Sequence, residues 1–338
     1  MDVPPRNPIA AVTHPDPYPY YAALRESASP IFHAGIGAWV ASRAEHVERV
    51  LTHPAFRVRP VREPVPRSID GLPAGAVFRE FARMSDGERH ATLRARVDRR
   101  LASSTIASLE DRAGCAAEQL RTLDTDEFIE RFAVYAVASA LNAPADDLAC
   151  IFERVRAFAR SLASDASADA VTNGSTATRA LRERFDATEI GLLFQSYEAM
   201  HGLIGNALAA LSRQDGSDSL EAHVEATLRK DSAVQNTRRF LAEDAVISGI
   251  RMRRGDTVLA ILAAANRDPT ASDRIYTFGL GGHACPARHI AVRIAAAALR
   301  HLAAGGLNLR HCRPVTYRPS PNVRIPLFAR ARSRKVPS

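Results

Sequence analysis

The sequence has almost no lysine: only Lys230 and Lys335 occur in 338 residues, so nearly all of its positive charge is arginine. The four cysteines, Cys115, Cys150, Cys285 and Cys312, are scattered without a C-x-x-C pair, which argues against a disulfide framework. No run of 18 apolar residues is present, so no membrane-spanning helix is expected. The opening stretch "MDVPPRNPIAAVTHPDPYPYY" has no charged segment followed by an apolar core, so a signal peptide is not expected either and the location reads as cytoplasmic. No internal repeat is found.

What is present is the composition of a folded protein, 46% hydrophobic and 24% charged. The net charge of +8 is dispersed among acidic residues, and the arginine and alanine richness points to a GC-rich bacterial genome. Two basic stretches, "RVRPVREPVPR" (57–67) and "RARSRK" (330–335), lack the interleaved aromatics of a nucleic-acid surface, so they read as solvated surface and no nucleic-acid partner is expected. A basic patch still suits an acidic protein partner.

Helical spacing dominates the chain. Residues 17–54 read as helix, strand pair, helix, and the Pro-rich stretch 60–74 as a loop. The pattern is helical from Ser85 to about Leu141, beginning at a Ser-Asp cap, and again over 147–163. The polar "SDASADAVTNGSTAT" that follows reads as a surface loop. From Asp186 to Leu211, apolar residues recur three or four apart with further ones widening the face, so this helix is expected to run through the interior. A helix at 218–230, a hairpin region over 238–261 and terminal strands around "NLRH" and "VRIPLF" complete a mainly helical chain with a small sheet.

The chemistry concentrates in "TFGLGGHACPARHIAVRIAAAALRHLAAGG", which begins at Thr277. Proline is tolerated at a first helical position, so Cys285-Pro286 predicts a helix that starts at the cysteine. There the helix dipole and free N–H groups would favour a thiolate. The glycine pattern also fits a dinucleotide-binding turn after a short strand "RIYTF", but too little chain follows to build the remaining units of such a domain. A zinc site of His283, Cys285 and His289 lacks a fourth ligand and the usual paired spacing. A glycine-rich turn carrying an inert cysteine leaves the neighbouring residues unexplained. The remaining reading is an axial thiolate to a haem iron.

"FGLGGHAC" (Phe278 to Cys285) resembles the haem-binding loop of the cytochrome P450 family, F-G-x-G-x-H-x-C. "MSDGERHATLR", "LLFQSYEAMHGLIGNAL", "DSAVQNTRRFLAEDAVISGIRMRRGDTVLAILAAANRDP" and "YRPSPNVRIPLF" resemble further family segments in the family's order. The resemblance implies a single haem domain over 1–338, haem b as cofactor and Cys285 as the metal ligand. It also implies haem contacts from His90, Arg94, Arg239, Phe278, Gly279 and His283. His90 and Arg94 stand four apart on one helix face, so both can face the same anion. The implied activity is oxidation of a small, apolar metabolite, with electrons from a ferredoxin or flavodoxin reductase system.

The chain departs from the family at defined places. Ala287 follows Pro286 where a glycine is usual. In the central helix the catalytic acid, Glu198, is followed by Ala199 and Met200 where the family has an alcohol that passes protons. Ala226 replaces the acid of the family's E-x-x-R, and Glu225 stands four residues before Arg229 as a shifted partner. The segments near 160–188 and 270–277 are shortened. These losses also fit a catalytically degenerate binding protein, or an enzyme that uses peroxide or rearranges its substrate.

Overall fold

The structure is a computed structural model that describes residues 3–102, 109–213, 219–271 and 274–328. The basic stretch 330–335 lies outside the described residues. Among them, no helix is long and apolar enough to cross a membrane.

Helices form the bulk and a small mixed sheet flanks them. The sheet order is β1 (Ile31–His33), β2 (Ala38–Ala41), β7 (Thr257–Ala260), β4 (Thr237–Leu241) and β3 (Phe56–Arg57). β2 and β7 run parallel, with Val40 opposite Leu259, and the other pairs are antiparallel. β5 (Ala245–Ile247) and β6 (Ile250–Met252) form a hairpin, as do β8 (Pro314–Tyr317) and β9 (Pro326–Phe328). The "NLRH" stretch expected as strand is instead a 3-10 turn whose Asn308 side chain accepts from Arg310 N–H.

The helix Ala187–Leu211 opens with a reciprocal capping box, the Asp186 carboxylate accepting from Glu189 N–H and the Glu189 carboxylate from Asp186 N–H. Apolar residues on nearly all sides then bury it: Ile190, Leu193, Tyr197, Met200, Ile204 and Leu208 are all buried. It packs against the helices Thr125–Ala140, Leu148–Ser161 and Arg288–Ala304, in one continuous apolar core.

The expected surface loop after residue 163 is in fact the helix Ala168–Arg182, capped by Ser167 and laid against Leu148–Ser161. Small residues make this possible rather than forbidding it. A side chain at Gly174 would place a Cβ 2.3 Å from Ser161 Cβ, so glycine lets the two helices touch. Ser175 and Thr178 are buried in the contact, and the Thr178 hydroxyl is satisfied by Gly174 C=O at 2.7 Å.

Candidate active site

The cysteine loop closes on itself before its helix begins. The Cys285 N–H donates to Phe278 C=O at 2.7 Å and Ala284 N–H to Gly281 C=O at 3.1 Å. Gly279 stands at φ +70°, where a Cβ would also meet His283 O at 3.1 Å, so the turn requires glycine there. Two expectations are corrected here. "RIYTF" contains a 3-10 turn, Tyr276–Phe278, in place of a strand, and the helix runs Arg288–Ala304, three residues past the cysteine. Pro286 and Ala287 form a turn instead of the first helical residues.

Cys285 therefore lies just outside the helix and opens into the cavity. Enclosure by protein pushes its thiol pKa up, opposed by the Ala287 N–H and by the guanidinium groups of Arg83 and Arg94. These surroundings work against the thiolate favoured by the sequence reading. Burial outweighs the local dipole, and a metal ion would be needed to draw the proton off.

The loop reaches the rest of the molecule through Asn266. Its side chain donates to Thr277 Oγ1 at 2.8 Å and Leu228 O at 3.1 Å, and its Oδ1 accepts from Tyr276 N–H at 2.7 Å. One buried amide thereby ties the short connection after Pro269 to the end of the helix Leu220–Lys230.

Arg94, on the helix Gly87–Leu101, donates to Gly282 O at 3.1 Å and Ala284 O at 2.8 Å, and its Nε to Asp98 at 2.8 Å. It thus supports the loop backbone as well as lining the cavity. His90, one turn earlier, faces His283 with ring centroids 4.2 Å apart. Burial, then His283 and Arg94, push the His90 pKa down. His283 Nε2 lies 3.3 Å from Asp86 Oδ1, and its Nδ1 is buried with no partner. Asp86 precedes the helix as expected, but its side chain makes no cap bond; it turns to His283 and to Val58 N–H.

Arg239 projects from β4 and is buried. Its Nη1 donates to Thr237 Oγ1 and Arg238 O, and among the described residues it has no ion pair. Burial holds its pKa down to about 10, with Asp86 raising it and Arg83 lowering it, so it stays charged at neutral pH.

Above the loop the cavity, of about 1830 Å³, is bounded by the central helix through Leu192, Gln195, Ala199 and Leu203. Phe81 and Phe194 stack across it with centroids 5.8 Å apart. Glu198 also lines the cavity, but its carboxylate is held by Arg318 at 2.9 Å. Ala199 brings only a methyl group. Among the described residues no group of three His, Cys, Asp or Glu could hold a metal ion, which removes the zinc reading of His283, Cys285 and His289.

The cavity beside Cys285 therefore has room and cationic partners for a large anionic group. The orphaned His283 Nδ1 and the buried Arg239 without an ion pair both ask for an anion, and the glycine turn leaves room for close approach. The structure brings His90, Arg94, Arg239, Phe278, Gly279, His283 and Cys285, with Glu198 and Ala199, to the lining of one cavity, and leaves His289, Glu225 and Arg229 outside it. It adds Arg83, which no local spacing marks, and Asp86, Asn266 and Arg318, whose partners lie too far along the chain for local spacing to reveal.

The comparisons with known proteins agree with this geometry. CalO2 superposes with a TM-score of 0.78 at 26% identity, over 96% of this chain and 98% of that one. P450BioI, solved with a hexadec-9Z-enoic acid ligated acyl carrier protein, superposes at 0.75 with 20% identity over 92% and 97%. The fold is that of the cytochrome P450s. By sequence, 123 residues, 30% of the chain, are 30% identical to the biotin biosynthesis cytochrome P450 of Bacillus subtilis. The matched segment spans less than a third of the length of such curated relatives. No protein-family model matches the chain. The chain has the cytochrome P450 fold and resembles cytochrome P450s by sequence over about 30% of its length.

Proposed function

We propose that this protein is a haem-thiolate oxidoreductase of the monooxygenase type, acting on a small apolar metabolite. One observation carries the reading: a glycine-shaped turn presents Cys285 to a large cavity beside a buried, unpaired Arg239 and an orphaned His283 nitrogen. Haem b would supply the oxidative chemistry, its thiolate ligand favouring O–O cleavage. Cys285 would hold the iron as its thiolate, with the Ala287 N–H positioned to stabilise the sulfur charge. Arg239 and His283, with His90 and Arg94, would hold the haem carboxylates. Phe278 and Gly279 shape the turn beneath.

The residues above the loop sort substrate and protons. Phe78, Phe81 and Phe194 form an aromatic wall that excludes water and packs against an apolar substrate. Glu198 can hold a proton, but Ala199 cannot pass one on, because a methyl group neither donates nor accepts. Electrons come from a ferredoxin or flavodoxin system, and the protein works in the cytoplasm as one haem domain.

Ala199 also favours a second reading, an enzyme that uses peroxide or rearranges its substrate and needs no alcohol in the relay. A binding protein without turnover remains the alternative of another class. The absorption spectrum tests the haem proposal. Ferric protein, once reduced under carbon monoxide, is expected to show the strongly red-shifted Soret band of thiolate ligation, and Cys285→Ser to lose it. Protein that stays colourless after haem reconstitution overturns both enzymatic readings.

A further inference from the structure

Arg83 is a cation without an anion. It stands in the 3-10 turn Ala82–Met84, between Phe81, which packs against Phe78, Phe158 and Phe194, and the helix Gly87–Leu101. Its side chain lines the cavity and is exposed to it, and among the described residues it makes no hydrogen bond or ion pair. Three other cavity arginines are engaged, Arg94 by Asp98 and two carbonyls, Arg318 by Glu198 and Glu130, Arg59 by Glu63.

Arg83 lies within electrostatic range of both Arg239 and Cys285. Two guanidinium groups sharing one enclosed space raise each other's free energy unless an anion lies between them. The charges at the loop end of the cavity leave that role open. Arg94 is paired with Asp98 and Asp86 faces His283, whereas Arg239 has no ion pair among the described residues. His90 is biased toward its neutral form. A haem adds two carboxylates, more negative charge than Arg239 alone can offset.

We propose that Arg83 and Arg239 clamp one haem carboxylate between them, Arg83 reaching from the 3-10 turn and Arg239 from β4. This rests on the haem-thiolate reading and adds a residue that the family motifs in the sequence do not mark. A substrate carboxylate is the competing occupant of the same guanidinium. Arg83 would then serve selectivity instead of haem retention.

The test uses haem b and its dimethyl ester, which has the same ring but no carboxylate charge. Full-length parent, Arg83→Gln and Arg83→Lys are reconstituted with each, and loss to apomyoglobin is timed. Arg83→Gln is expected to lose haem b about tenfold faster or more, the loss of one charged hydrogen bond. Arg83→Lys is expected to fall between, and parent and Arg83→Gln to release the dimethyl ester at equal rates. Circular dichroism of the haem-free proteins checks that all three fold. Equal haem b loss from parent and Arg83→Gln overturns the proposal, as does an equal acceleration with the ester, which marks mere packing. Unchanged haem loss with selectively weakened binding of a long-chain carboxylate over its alcohol assigns Arg83 to substrate and also overturns it. A parent that takes up neither haem nor ester refutes the underlying haem reading, a result distinct from all of these.

Discussion

Arg318 donates to the Glu198 carboxylate at 2.9 Å with one amino group and reaches Glu130 at 3.4 Å with the other, so the residue after β8 is fastened to the central helix. The Tyr197 hydroxyl donates to the same Glu130 at 2.7 Å, closing a four-residue polar cluster at the cavity edge. The acid of the presumed relay position is thus an ion-pair partner before it is anything else. Glu198 is nearly half exposed, and solvent screens the pair. A double-mutant cycle of Arg318→Ala and Glu198→Gln is expected to give a coupling of about 0.5–1 kcal/mol in thermal denaturation. Zero coupling would mean that the two side chains part in solution.

Arg94 and Arg239 should behave differently when removed, because only Arg94 also carries the loop. Arg94→Ala strips two hydrogen bonds from the Gly282 and Ala284 carbonyls and is expected to cost about 1–3 kcal/mol of stability even without haem. Arg239→Ala removes a buried charge with no ion pair, so the haem-free protein is expected to hold or gain stability while haem retention falls. Urea denaturation of the haem-free proteins, paired with haem transfer to apomyoglobin, checks both. Equal destabilisation by the two substitutions would contradict the division of roles.

How far the sequence reveals this molecule depends on whether a signal is local. The central helix was legible because its apolar spacing and its Asp186 cap act within the helix itself, and the cysteine turn because its glycines are demanded by its own backbone. The helix Ala168–Arg182 was not, since its Ser, Thr and Gly residues read as loop formers until Gly174 is seen pressed against Ser161. The thiol of Cys285 misled in a similar way: a helix start argues for a thiolate, but enclosure by residues from distant segments prevails. The ion pair of Glu198 with Arg318, 120 residues apart, leaves no mark on either stretch of sequence.

His201 gives the fold a defined acid sensitivity. It is buried on the central helix with neither ring nitrogen bonded among the described residues, and burial followed by the Arg318 charge pushes its pKa down to about 3. The unfolded chain protonates this residue near pH 6.5, whereas the folded chain does so only near pH 3, so between those values the unfolded state binds more protons. Its contribution is therefore complete above about pH 6.5 and is lost as the pH falls toward 3. Urea unfolding at pH 7 and pH 4 is expected to show His201→Leu losing up to about 3 kcal/mol less than the parent over that interval. Equal losses would show that the imidazole is already solvated in the native state.

The last expectation concerns Ala199, which lines the cavity next to an acid that Arg318 already holds. Proton delivery requires a donor within hydrogen-bond reach or one water away, and neither the Ala199 methyl nor the Met200 thioether is such a donor. With surrogate redox partners, the unmodified protein is therefore expected to spend most reducing equivalents on peroxide or water, while added peroxide supports turnover at least as well. Ala199→Thr supplies the hydroxyl and is expected to raise the fraction of electrons recovered in oxidised product. Threonine also narrows the cavity, so Ala199→Val serves as the control of equal shape. Tight coupling in the unmodified protein, or equal gains from threonine and valine, would make Ala199 a packing residue and route the protons elsewhere.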